Sequence, residues 1–112
     1  MIYKILPKSD WEAALAVGRY DGSPVDTADG YIHFSAADQA RATAAKYFAG
    51  QGDLLVLTVE SDALGAALKW EPSRGGALFP HLYGSLDCRM VLETRAAPLG
   101  ADGVPRLGDL GG

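Results

Sequence analysis

Apolar and polar positions alternate along this chain in short blocks, and each block predicts one element. Ile2 to Leu6 is apolar and β-compatible, and Pro7 ends it, so it reads as a first strand. Ser9 stands before WEAALAVG with Glu12 three residues later, the pattern of a capping box. Trp11, Ala14 and Leu15 then fall on one helical face, and Gly18 is the stop. Tyr20 to Gly30, YDGSPVDTADG, is dominated by Gly, Pro, Asp and Ser and reads as a long loop, the kind that often binds ligands.

Tyr31 to Phe34 predicts a short strand. Ser35 is placed to cap a following helix, with Asp38 three residues on. The alanine-rich run Ala36 to Phe48 favours helix, and Gly50 and Gly52 end it. Asp53 to Glu60, DLLVLTVE, is the strongest strand signal, and its continuous apolar run predicts burial on both faces. A helical turn within Ser61 to Leu68, a short strand at Leu68 to Glu71 and a flexible loop at Pro72 to Ala77 follow. FPHLYG comes next, then a strand from Cys88 to Arg95. The pattern is that of a small α+β domain over residues 1–97, followed by a Gly/Pro-rich tail, 98–112, that lies loose or packs as an extended strap.

Composition narrows the functional classes. The chain has 112 residues, 48% of them hydrophobic, which is one ordinary globular domain able to fold without staples. Ten basic and 14 acidic residues give a net charge of −4, and the basic ones are scattered, so nucleic acid is not an expected partner. A lone cysteine, Cys88, fits a reducing compartment. The start lacks a signal-peptide pattern, and no stretch approaches a membrane span, so a cytoplasmic protein with no membrane partner is expected.

Candidate chemistry gathers in two histidine segments, DGYIHFS (Asp29 to Ser35) and FPHLYG (Phe79 to Gly84). Neither histidine has a second ligand at metal-binding spacing, so no metal site is expected. No nucleophile elbow and no phosphate-loop motif occurs. His33 lies opposite Ile32 and Phe34 on a strand that feeds a helix start, where an anion is well received; the alternative is a histidine tied to a core carbonyl. His81 and Tyr83 share a strand face with Phe79 and supply a donor–acceptor pair beside aromatic surface; the alternative is a half-buried edge strand. Trp70, next to the Gly-rich loop, is a platform candidate. Arg74 in PSRGG can grip an anion bidentately, or simply face solvent.

These segments, with KYFAGQGDLLVLTVE and LKWEPSRGGALFPHLYGSL, carry a resemblance from about Ile2 to Arg95. The chain resembles the small bacterial proteins called domain of unknown function 952, a family that looks like a member of the ADP-ribosylation fold group. The resemblance implies a split, mixed or antiparallel sheet with two main helices, as in ADP-ribosyltransferases. His33, Phe34 and Ser35, then the helix and the strand from Leu54 to Val59, are similar in order to the RNA 2′-phosphotransferases of that group. On that analogy His33 contacts the ribose of NAD and Tyr83 stacks on its nicotinamide. The arginines that such enzymes set around a phosphate have no counterpart beside His33. Glu71 and Glu93 are both candidates for the late glutamate of the transferases, and Glu71 is the one taken as catalytic with His33. Ser35, Trp70, Arg74, His81 and Tyr83 are taken as ligand-binding. The resemblance leaves two readings open: an NAD-dependent ADP-ribosyl-type transferase, or a non-catalytic small-ligand or protein-interaction module on the same fold. In both, His33 and His81 are expected to lie close together in one cleft.

Overall fold

The computed structural model describes residues 1–110, apart from the side chain of Arg74. Its strands are β1 (Ile2–Pro7), β2 (Arg19–Tyr20), β3 (Ile32–His33), β4 (Ser35–Ala36), β5 (Leu54–Val59), β6 (Leu68–Ser73), β7 (Ala77–Leu82), β8 (Leu86–Asp87) and β9 (Val91–Ala97). Its helices are α1 (Lys8–Val17), α2 (Pro24–Asp29) and α3 (Ala37–Tyr47), with 3-10 segments at Ser61–Ala67, Arg74–Gly76 and Cys88–Met90. The strands form sheets in the orders β4-β1-β5-β9, β3-β7-β6 and β2-β8. Among the described residues every strand pairing is antiparallel, so of the two expected sheet types the antiparallel one is found there.

Strand β5 is central because both its faces are apolar. Leu57 and Val59 join Ile2, Leu6, Trp11, Ile32 and Leu82 in one buried cluster. Leu54 and Val56 join Tyr3, Ile5, Ala40, Ala44 and Leu107 in the other. Period-two alternation therefore sends one face of the large sheet toward α1 and the small sheet, and the other toward α3 and the chain's end. Each fully buried Leu or Ile contributes about 1.5–3 kcal/mol to holding these layers together.

Local chemistry corrects several expected boundaries. Helix α1 begins at Lys8, one residue before Ser9, and its N-cap Pro7 makes no side-chain cap bond. Gly18 does end it, at φ 95°. The expected loop at Tyr20 to Gly30 contains α2, capped by Ser23 with Pro24 at its first turn. Ser35 is not a helix cap. It lies in β4, its Oγ 2.9 Å from Thr43 Oγ1, while the Ala36 amide donates to Gln39 Oε1 at 2.9 Å. Cys88 stands in the turn before β9, with Sγ 3.5 Å from the Ala14 carbonyl oxygen.

Of the two expectations for the tail, the strap is found over the described residues. Leu99 bridges to Pro105, Leu107 is buried against α3, and Arg41 donates to the Gly108 carbonyl at 2.5 Å. Among the described residues no helix is long and apolar enough to cross a membrane.

Candidate functional site

The site lies where the chain changes sheets. His33 ends β3 in the small sheet, and Ser35 begins β4 in the large one, with Phe34 between them. The Phe34 amide donates to the Pro80 carbonyl at 3.0 Å, which pins the crossover to β7. Strand β4 pairs with Ile2 and Tyr3 of β1. Beyond Tyr3 the two sheets diverge, and a cleft of about 560 Å³ opens, lined by Lys4, Asp26, Tyr31, His33, Phe79 and His81 among others. That volume suits a small organic ligand.

Asp26 organises one wall. It sits in the first turn of α2, where its Oδ2 accepts the Ser23 amide at 2.9 Å and its own amide donates to Ser23 Oγ at 3.2 Å. The same carboxylate accepts Lys4 Nζ at 2.9 Å, the His33 amide at 3.1 Å and His33 Nδ1 at 2.5 Å. Lys4 and Asp26 are both buried, so each charge needs the other. Burial works to raise the Asp26 carboxyl, but the His33 bond, the Lys4 charge and the Ser23 amide hold it well below the usual carboxylate range. Burial lowers the Lys4 ammonium despite Asp26. A second acid, Asp29, lies 2.9 Å from His33 Nε2, so both ring nitrogens face carboxylates. Gly22 makes this fit possible: it sits at φ 107°, and a Cβ there would stand 2.8 Å from Asp26 Cβ.

A second group, sharing His33 with the first, is built on the β3–β7–β6 register. His33 pairs with His81, and His81 pairs with Lys69. Directly paired residues share a sheet face, so both histidines and Lys69 point the same way, as does Glu71, two residues along. Glu71 Oε1 lies 2.9 Å from His81 Nδ1 and accepts the Tyr83 hydroxyl at 2.7 Å. The Tyr83 bond, then the His81 bond, lower the Glu71 carboxyl. In return Glu71 pushes the Tyr83 phenol up to about 12. Tyr31 closes the group, stacked on His81 at 4.0 Å and tilted against His33 at 4.7 Å and Tyr83 at 5.2 Å. His81 Nε2 is buried and has no hydrogen-bond partner.

Of the residues singled out from sequence, His33, Ser35 and His81 line the cleft, and Glu71 and Tyr83 attach to it through His81. Trp70 is placed elsewhere. It pairs with Pro80, so alternation turns it to the face away from His81, where it is 44% exposed. Glu93 is also remote: on β9 it accepts from Arg95 at 2.7 Å. The Arg74 side chain lies outside the described residues. Lys4 and Asp26 line the cleft from outside the two histidine segments, and Asp29 and Tyr31 line it from within DGYIHFS without being singled out there. A lysine inside an apolar strand (IYKIL) and the S-P-V-D capping pattern are the signals that point to the first two. Among the described residues no group of three or more His, Cys, Asp or Glu is placed to hold a metal ion.

A family model described as a protein of unknown function, DUF952, matches residues 5–94. The crystal structure of protein CC0527 from Caulobacter crescentus is 57% identical, with a TM-score of 0.93 over 96% of this chain and 94% of that one. The solution NMR structure of the same protein superposes with a TM-score of 0.87, covering 96% of this chain and 92% of that one. No curated protein matches the chain.

Proposed function

This chain belongs to the DUF952 family of proteins of unknown function, and we propose that it is a ligand-binding domain whose cleft takes NAD or a related nucleotide. The observation that carries the proposal is the pairing of His33 with His81 under Tyr31, at the mouth of the split between two sheets. Tyr31 and Phe79 offer aromatic surface to a flat ring. The histidines and their carboxylates offer polar contacts to ribose hydroxyls. Ser73 borders the cleft, and the turn after it carries Gly75 and Gly76 at positive φ, so its amides are suited to receive phosphates. The resemblance to the ADP-ribosylation fold group favours the same ligand.

A second reading, ADP-ribosyl transfer, draws on the carboxylate beside each histidine: Asp26 and Asp29 at His33, and Glu71 at His81. Loss of nicotinamide leaves positive charge on the ribose, and a fixed carboxylate stabilises it. Calorimetric titration with NAD, ADP-ribose and simple nucleotides tests the binding. Wild type is expected to bind, and His33→Ala to bind at least about tenfold more weakly. No heat with any of them at millimolar concentration overturns the reading. Mass-spectrometric detection of released nicotinamide then separates turnover from binding.

A further inference from the structure

We propose that Nε2 of His81 is the seat for a 2′- or 3′-hydroxyl of the ligand's ribose, and that it orients a nucleotide with its ribose at the histidines and its phosphates away from them. The inference rests on the nucleotide reading of the cleft and assigns the ligand's direction within it.

The hydrogen-bond inventory of the ring leads there. Nδ1 lies 2.9 Å from Glu71 Oε1, which also accepts the Tyr83 hydroxyl. An ionised carboxylate only accepts, so Nδ1 carries the proton. Nε2 is buried with no acceptor for a second proton, so the arrangement suits a ring with a bare lone pair at Nε2. His81 is 2% exposed, and Nε2 has no partner, whereas both nitrogens of the neighbouring His33 have one. A buried acceptor left unmatched in a cleft is filled by a donor when ligand binds.

Charge selects the kind of donor. Asp26, Asp29 and Glu71 surround the two rings. Of the two lysines beside them, Lys4 is already paired with Asp26, and Lys69 lies over the Tyr83 ring at 5.3 Å with its charge acting on Glu71, so acids outnumber cations there. A phosphate or carboxylate oxygen would meet both the lone pair and these acids. A hydroxyl meets neither objection, because it donates to the ring and is neutral. The two nitrogens of an imidazole point apart, so Nε2 faces away from Glu71 and β6. Tyr31 stacks on the face of the His81 ring, at 26° between planes, rather than on the edge that carries the lone pair. Nε2 is buried in the free chain, and His81 lines the cleft from which a ligand would reach it.

Nitrogen-15 NMR of the histidines in the full chain tests this, with adenosine, 2′,3′-dideoxyadenosine, NAD and inorganic phosphate as probes. The free chain is expected to show the His81 ring protonated at Nδ1 and bare at Nε2. Adenosine and NAD are expected to move Nε2 toward the hydrogen-bonded position. The dideoxy compound is expected to bind about tenfold more weakly and leave Nε2 in place, and phosphate to leave it unmoved. His81→Asn keeps a donor for Glu71 but has no Nε2, so it should bind adenosine and its dideoxy analogue alike. A protonated Nε2 in the free chain, or an equal response to both nucleosides, overturns the proposal. If adenosine and NAD move no cleft resonance, the nucleotide reading fails instead. Phenol, a simple hydroxyl donor, then decides the seat: it stands if phenol shifts Nε2 and falls if phenol does not.

Discussion

His33 and His81 stand directly opposite each other across the β3–β7 pair, with ring centroids 5.5 Å apart and different carboxylates holding each ring. The two residues are 48 positions apart in sequence, and strand register alone brings them together. Each ring is also held from its own side, His33 by α2 through Asp26 and His81 by β6 through Glu71. The rings are thereby fixed before any ligand arrives, which lowers the ordering cost of binding.

The Lys4–Asp26 pair is expected to govern stability unequally. In Asp26→Asn the Lys4 ammonium stays buried without its counter-charge, and we expect a loss of about 3–5 kcal/mol in urea unfolding. Lys4→Met should cost less, because Asp26 keeps the Ser23 amide, the His33 amide and His33 Nδ1. Equal losses for the two variants would show that Asp26 does not depend on those other donors.

Acid should unfold the protein partly through the same residue. The Asp26 carboxyl is held below its ordinary value of 3.8 in the folded chain. Its contribution is therefore complete above the unfolded value and drains away as pH falls from about 4 toward the lower folded value. Unfolding free energy measured from pH 6 down to pH 2 should fall more steeply for wild type than for Asp26→Asn. Parallel curves would remove Asp26 from the account.

Much of this architecture is legible in the sequence, and the rest is hidden for definite reasons. DLLVLTVE announces a strand buried on both faces because its apolar run has no polar interruption until Thr58. DGYIHFS and FPHLYG announce their histidines. Helix α2 stays hidden because six residues are too few to show a helical period and its Pro, Asp and Gly neighbours resemble a turn. Lys4 stays hidden because its partner lies 22 residues away. Trp70 misleads because it adjoins the Gly-rich turn in sequence, whereas strand alternation sets its face. Ser35 misleads because its hydroxyl reaches Thr43 instead of an amide of the helix start.

Tyr83 offers an optical report on Glu71. Its phenol is raised to about 12, chiefly by donating to that carboxylate. Glu71→Gln removes the negative charge, so the phenolate absorbance of one tyrosine should appear at lower pH, shifted from about 12 toward the ordinary 10. A spectrophotometric titration unchanged from wild type would mean that the hydroxyl does not rest on Glu71.

The chain's end should matter to stability through one residue. Leu107 is 2% exposed and packs beside Tyr3, Ala40 and Ala44. Leu107→Ala is expected to cost about 2–5 kcal/mol. Leu99→Ala, at a position 44% exposed, should stay within about 0.5 kcal/mol of wild type. Similar thermal midpoints for both would mean that the strap does not contribute to the core.

The central claim, that the cleft between the two sheets takes a nucleotide, is tested most directly by amide chemical-shift mapping with NAD. The account predicts shifts concentrated at Tyr31, His33 and His81 and along α2, with β9 and the solvent side of α1 unmoved. Shifts centred on β9 or α1, or none at millimolar NAD, would contradict it.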